Sequence, residues 1–218
     1  MKTDRPLQLV IFDCDGVLVN SEPIFNRVLH DYLQDCGVKI SFSETCNRFT
    51  GKSRHTVEAC FRDLGRQLPE DWPDGFYTKA LSALATEVQA IEGAKFVLDA
   101  LAEKEVAFCV ASNGLTQKME VTLAQVGFLA RFQGAMFSAY DIGQSKPAPD
   151  VFLQAASQMG IEPQDCVVIE DSESGFEAAH RAQMRCFAYQ PQGPLPQGRM
   201  FGAVSFRKMQ DLPALLDL

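Results

Sequence analysis

Four stretches of the chain run apolar and β-prone without interruption: Leu9 to Phe12, Val106 to Ala111, Cys166 to Ile169 and Cys186 to Tyr189. None alternates with polar positions, so each predicts a strand covered on both faces. Elsewhere apolar residues recur every three or four positions. Met119, Leu123 and Val126 lead to Gly127, and Val151, Phe152, Ala155, Ala156 and Met159 lead to Gly160. Stripes of this spacing that stop at glycine predict amphipathic helices. Strand and helix in alternation predict an α/β fold, a doubly wound, Rossmann-like parallel sheet.

The first strand is not followed directly by the second. Ile24, Phe25, Val28, Leu29, Tyr32, Leu33 and Cys36 mark one helix, Val57, Phe61 and Leu64 another, and Phe76, Tyr77, Ala80, Leu81, Leu84 and Val88 a third. This is too much for a crossover. The expected organisation is a catalytic core of residues 1–19 and 90–218, with residues 20–89 inserted as an all-α cap. Active sites of open parallel sheets lie at the carboxyl edge of the strands, so the cap is expected to act as a lid there. Residues 190–198, rich in Gln, Pro and Gly, read as a surface loop.

Composition narrows the function. The 218 residues carry 20 Lys and Arg against 28 Asp and Glu, a net charge of −8. That field repels polyanions and argues against a nucleic-acid or anionic-membrane surface. A charged start before a short apolar run gives no signal peptide or spanning segment, so a cytoplasmic protein is expected. The seven cysteines are odd in number, scattered and without a C-x-x-C pair, which reads as core filling rather than a disulfide framework or zinc site. His30, His55 and His180 fall on expected helices and read as structural, the sixteen Phe as core, and Glu103-Lys104-Glu105 as a solvated charge run.

Four polar segments border strand ends: Asp13-Cys14-Asp15-Gly16-Val17, Ser112-Asn113-Gly114, Lys146-Pro147-Ala148-Pro149-Asp150 and Glu170-Asp171-Ser172. Singly, each has an ordinary explanation as a helix cap, a turn or a solvated loop. Together, in a parallel sheet, they converge on one rim. Asp13 and Asp15, two apart in extended backbone, face one way while Cys14 faces another. With Glu170 and Asp171 nearby, each like-charge pair at about 4 Å costs roughly 4 kcal/mol at an effective dielectric near 20. Protons or a cation must relieve this. A donor set of oxygens alone suits Mg²⁺, which works beside substrate phosphate. Such a rim is equipped for phosphoryl transfer. One Asp serves as nucleophile and forms an aspartyl-phosphate. The second serves as general acid and base, Lys146 and the metal neutralise phosphate oxygens, and Ser112 with the backbone N–H groups around Asn113 and Gly114 binds the phosphate.

The D-x-D-G-V-L start with Ser21-Glu22, the S-N, K-P-x-P-D and E-D-S-x-x-G segments, in this order, resemble the haloacid dehalogenase superfamily, in its branch of helically capped phosphatases and phosphosugar mutases. The resemblance implies that Asp13 is the nucleophile and Asp15 the acid/base. Ser112 and Lys146 match its phosphate-binding positions. The Asp13 and Asp171 side chains and the Asp15 carbonyl match its Mg²⁺ site, with Glu170 as a supporting neighbour. An acid at Asp15 excludes the dehalogenases and phosphonate hydrolases of the superfamily. Asn20 stands at the presumed hinge where Asp is commoner. Phe49 to Arg54 resembles a cap loop that reaches the site, with Gly51 allowing close approach and Lys52 or Arg54 contacting the leaving group.

Ile91 to Ala94, Ser112 to Gly114 with Lys118-Met119, and Phe137 to Ile142 are similar to bacterial phosphatases of sugar phosphates, including 6-phosphogluconate. The implied substrate is therefore a small phosphorylated metabolite, and capped relatives imply a monomer. Two other readings stand beside hydrolysis. A mutase of the β-phosphoglucomutase type would carry His twelve residues after the nucleophile, where this chain has Phe25. An idle relative would bind a phosphometabolite without turnover.

Overall fold

A computed structural model describes residues 7–50 and 54–218. In chain order the elements are β1 (Leu9–Phe12), α1 (Glu22–Asp35), α2 (Phe42–Phe49), α3 (Arg54–Asp63), α4 (Asp74–Glu87), α5 (Ala94–Glu103), β2 (Ala107–Ser112) and α6 (Thr116–Gln125). They continue with β3 (Met136–Ser138), α7 (Ala139–Ile142), α8 (Asp150–Met159), β4 (Cys166–Glu170), α9 (Glu173–Arg181), β5 (Arg185–Tyr189), β6 (Val204–Phe206) and α10 (Leu212–Leu215). The chain forms two compact units, Met1–Asn20 with Gln89–Leu218, and Ser21–Val88.

The first unit is built on a six-stranded, all-parallel sheet in the order β3-β2-β1-β4-β5-β6. β1 lies at its centre, with Leu9 opposite Ala107 on one side and Cys166 on the other. Every residue of β1 and β4 is buried, which explains why their sequences carry no alternation. Val151, Phe152, Ala155 and Ala156 of α8 and Phe176, Ala178 and Ala179 of α9 join that core. Cys109 and Cys166 fill space within it, and all seven cysteines are free thiols. The fold is the Rossmann-like α/β architecture that the apolar runs predict.

The second unit is all helical. Leu33, Cys60, Phe61 and Ala80 are buried at its centre, around which Tyr32, Trp72 and Phe76 form an aromatic group with ring centroids 5.8–5.9 Å apart. Phe25 packs edge-on against Phe76, with centroids 5.0 Å apart. α2 is absent from the hydrophobic pattern because its sequence, Phe-Ser-Glu-Thr-Cys-Asn-Arg-Phe, is mostly polar. Its signal is instead a capping box. The Ser41 hydroxyl accepts from the Glu44 N–H and the Glu44 carboxylate accepts from the Ser41 N–H, satisfying two otherwise unpaired donors. β3 and β6 also lie outside the four predicted strands, since three residues are too few to establish a period. Among the described residues no helix is long and apolar enough to cross a membrane.

β1 supports the rest of the sheet, so a void there should be felt strongly. Ile11→Ala is expected to lower stability by about 2–5 kcal/mol, measured as a fall in the urea midpoint at unchanged slope.

Candidate active site

The parallel register collects the polar segments at one edge. Asp13 follows β1 directly, and its N–H donates to the Ile169 carbonyl at 2.9 Å, which sets it beside Glu170 at the end of β4. Ser112 ends β2, and Lys146 arrives from the loop between α7 and α8. The Lys146 side chain is 2% exposed. Its Nζ donates to Asp13 Oδ1 at 2.5 Å, to the Ala111 carbonyl at 2.9 Å and to Glu170 Oε1 at 2.8 Å. An ammonium has three protons, and all three are placed. Burial alone would discharge this lysine, but the charges of Asp13 and Glu170 and their hydrogen bonds outweigh it and hold the group protonated well above the ordinary lysine range.

Glu170 is 1% exposed and equally committed. Its Oε2 accepts from the Asp171 N–H, the Ser172 N–H and the Ser172 hydroxyl, at 2.8, 2.8 and 2.9 Å. The Ser172 hydroxyl also accepts from the Gly175 N–H at 3.1 Å, capping α9. These contacts explain two glycines. A Cβ at Gly175 would lie 1.8 Å from Glu170 Oε1, and one at Gly16, where φ is +84°, would lie 2.0 Å from Asp171 Oδ2. The E-D-S-x-x-G and D-x-D-G patterns are therefore spaces kept open for carboxylates.

Asp15 accepts from Lys118 Nζ at 2.8 Å, in a pair mostly shielded from solvent. Burial opposes the Lys118 charge, and Asp15, through charge and hydrogen bond, raises its pKa overall. Cys14 turns away, buried, with Sγ 4.0 Å from Thr122 Oγ1. Burial, followed by the Asp15 and Asp13 charges, pushes its thiol well above the ordinary range, so it stays protonated and inert. Asp13 is the perturbed acid of the group. Burial is the largest cause, Lys146 opposes it, and Glu170 and Asp15 add to it, so the carboxyl is pushed up to about 7.

The donors around this edge are oxygens, and the four carboxylates of Asp13, Asp15, Glu170 and Asp171 stand against the two ammonium groups of Lys118 and Lys146. The surplus of negative charge on hard oxygen donors fits a divalent cation such as Mg²⁺. Among the described residues, no three His, Cys, Asp or Glu side chains are arranged to hold a metal. Two carboxylates and a main-chain carbonyl, with the remaining positions left to water and substrate oxygens, are the usual terms for Mg²⁺.

Residues 10–189 match the sequence model of the haloacid dehalogenase-like hydrolases. The chain belongs to this family. It is 31% identical over 185 residues to 6-phosphogluconate phosphatase of Escherichia coli, covering 84% of this chain and 82% of that protein. It is 29% identical over 191 residues to hexitol phosphatase B of the same species, covering 85% and 84%. A solved haloacid dehalogenase family hydrolase from Deinococcus radiodurans, with bound phosphate and sodium, superposes with a TM-score of 0.78 at 32% identity over 98% of this chain and 97% of that one. The chain is an enzyme of this hydrolase family, and its named relatives are phosphatases.

In this haloacid dehalogenase-like hydrolase the structure brings Asp13, Asp15, Ser112, Lys146 and Asp171 to one edge, as the motifs require. Two details differ from the sequence reading. The Gly114 N–H, expected to face phosphate, donates to Ser112 Oγ at 3.0 Å, and Asn113 Oδ1 accepts from the Lys146 N–H at 2.8 Å. The first bond closes the turn after β2, and the second ties that turn to the loop that carries Lys146. Gly51 and Lys52 lie outside the described residues, as does the Arg54 side chain, although Arg54 opens α3. Sequence reasoning gave Lys118 no role. The available signal was its position in the first turn of the helix that follows Ser112.

Two outcomes follow from this geometry. Gly175→Ala should force Glu170 out of place and cost roughly 1–3 kcal/mol, read from thermal unfolding. The Asp13 carboxyl lies at about 7 in the folded protein against an ordinary value of 3.8. Between those values the folded state holds a proton that the unfolded chain releases, so ionising Asp13 destabilises the metal-free protein increasingly as pH rises through the window. In chelator, Asp13→Asn should therefore be more stable than the parent at pH 8 and equal to it below about pH 4, as urea midpoints across the range would show.

Proposed function

We propose that the protein is a Mg²⁺-dependent phosphomonoesterase that hydrolyses a small phosphorylated metabolite through an aspartyl-phosphate on Asp13. The observation that carries this reading is the placement of Lys146. It fixes Asp13 Oδ1 and leaves Oδ2 as the oxygen for attack on phosphorus. Asp15, two residues on and oriented by Lys118, gives a proton to the departing oxygen and then takes one from the water that cleaves the aspartyl-phosphate. Ser112 donates its hydroxyl proton to a phosphate oxygen, and the Lys146 charge stabilises the developing negative charge. The Asp13 and Asp171 carboxylates and the Asp15 carbonyl would hold Mg²⁺, which when bound supplies further charge neutralisation at the phosphate.

A sugar phosphate or phosphosugar acid such as 6-phosphogluconate is the proposed substrate class, supported by the names of two relatives. We place the enzyme in the cytoplasm as a monomer, with no nucleic-acid or membrane partner. The haloacid dehalogenase-type mutase is the second reading. Against it stands Phe25, whose ring is packed on Phe76 and Tyr77 in the helical unit and has no proton to exchange. A phosphometabolite-binding protein without turnover is the third, and it would leave the Asp13, Lys146 and Asp15 arrangement without use.

With an aryl phosphate and Mg²⁺, phosphate release is expected, abolished by chelator and restored by added metal. Asp13→Asn should lower turnover by roughly three orders of magnitude or more with near-ultraviolet circular dichroism unchanged; retained turnover rules out the mechanism. A screen of phosphorylated sugars, sugar acids and nucleotides then identifies the substrate, and isomerised sugar phosphate in place of free phosphate would establish the mutase.

A further inference from the structure

Asp171 lies between the end of β4 and the start of α9, outside both elements. Side chains set its main chain instead. Its N–H donates to Glu170 Oε2 at 2.8 Å, and its carbonyl accepts from Gln190 Nε2 at 2.7 Å. With both main-chain groups held, the carboxylate lies against Gly16, where a Cβ would stand 2.0 Å from Asp171 Oδ2. The Asp15 carbonyl belongs to the peptide bond that enters Gly16. Two of the oxygen donors that suit Mg²⁺, one from a side chain and one from the main chain, are thereby brought to the same turn.

Gln190 follows β5 and is 9% exposed. Its own main chain is anchored at both groups. The N–H donates to the Phe206 carbonyl of β6 at 2.8 Å, and the carbonyl accepts from the Gly193 N–H at 3.0 Å. The side-chain nitrogen meets a second carbonyl, that of Tyr189, at 3.1 Å. Only the NH₂ end of an amide can satisfy two carbonyl oxygens, so these partners settle which way the amide points. Joining β5 to β4 needs no such tie, because the two strands already pair from Val167 and Arg185 up to Glu170 and Ala188. The bond from Gln190 carries order one residue past that last pair, to Asp171.

We propose that Gln190 is a positioning residue for Mg²⁺: by holding the Asp171 carbonyl, it fixes the direction of the Asp171 carboxylate before the metal arrives. It touches neither metal nor substrate and acts through Asp171. A ligand group already in place loses less conformational freedom when the metal binds. Hydrogen-bond partners behind metal ligands change metal affinity by about 10–100-fold. The inference rests on the Mg²⁺ site of the phosphatase reading and adds to it a residue from the far side of β4.

The test is calorimetric titration of Mg²⁺ into the metal-free full chain, comparing the parent with Gln190→Met, which keeps the length of the side chain and removes both donors. The dissociation constant should rise by about tenfold or more. The Mg²⁺ concentration for half-maximal aryl-phosphate hydrolysis should rise by the same factor. A lower unfolding temperature with an unchanged dissociation constant would make the bond a strand-end tie alone, and the proposal fails. It fails equally if turnover drops and added Mg²⁺ does not restore it, since that marks general disorder of the edge. Where the Met variant does not fold, Gln190→Ala, whose smaller side chain admits water to both carbonyls, is read in the same way. A parent chain that binds no Mg²⁺ overturns the metal-dependent phosphatase reading and this inference with it, whereas variants that bind Mg²⁺ as tightly as a binding parent overturn the role of Gln190 alone.

Discussion

One buried ammonium organises the catalytic edge. Lys146 stands where β1, β2 and β4 end, and each of its three protons goes to a group contributed by a different one of them: the carboxylate after β1, a carbonyl of β2 and a carboxylate closing β4. Deleting any one acceptor outright, as truncation to Ala would, leaves an ammonium proton without a partner out of reach of water, which costs more than the contact itself. The strand ends are thus held in mutual register by electrostatics as well as by the sheet ladder. Glu170 extends the arrangement into the loop beyond β4, and through Ser172 into the first turn of α9. The two glycines that face carboxylates belong to the same economy of space, since acids this near the main chain leave no room for a side chain.

The same crowding separates Asp13 from its neighbours chemically. Four carboxylates share the edge, yet Asp13 combines near-complete burial with two acidic neighbours and a single cation at one of its oxygens. Asp15 has a lysine of its own, Glu170 is saturated by N–H and O–H donors, and Asp171 lies against the Gly16 turn. Environment, rather than residue type, assigns different tasks to four similar groups. Cys14 shows the converse, since a thiol between two aspartates is kept inert by burial.

Much of this was legible in the sequence, for identifiable reasons. β1 and β4 are buried on both faces, so their apolar runs are unbroken, and the helices that cover them keep their stripes. The motif residues were legible because a parallel sheet must bring strand ends to one side. What escaped was structure without period. β3 and β6 are too short, and α2 is held by a cap rather than by an apolar face. The pairing of Lys118 with Asp15 spans 103 positions, and the engagement of the Gly114 N–H by Ser112 is a turn geometry. Neither leaves a trace in residue type alone.

The short stem where the chain passes between the two units carries an architectural consequence. The Asn20 N–H donates to the Gln89 carbonyl at 2.9 Å, and Val19 bridges Ala90 in antiparallel fashion, so the chain leaves the sheet unit and returns to it at adjacent points. To the sheet, everything from Ser21 to Val88 is topologically a single long hairpin whose ends are already tied. Evolution could therefore shorten, lengthen or exchange that module without rethreading a strand, while the acids of the sheet unit remain where they are.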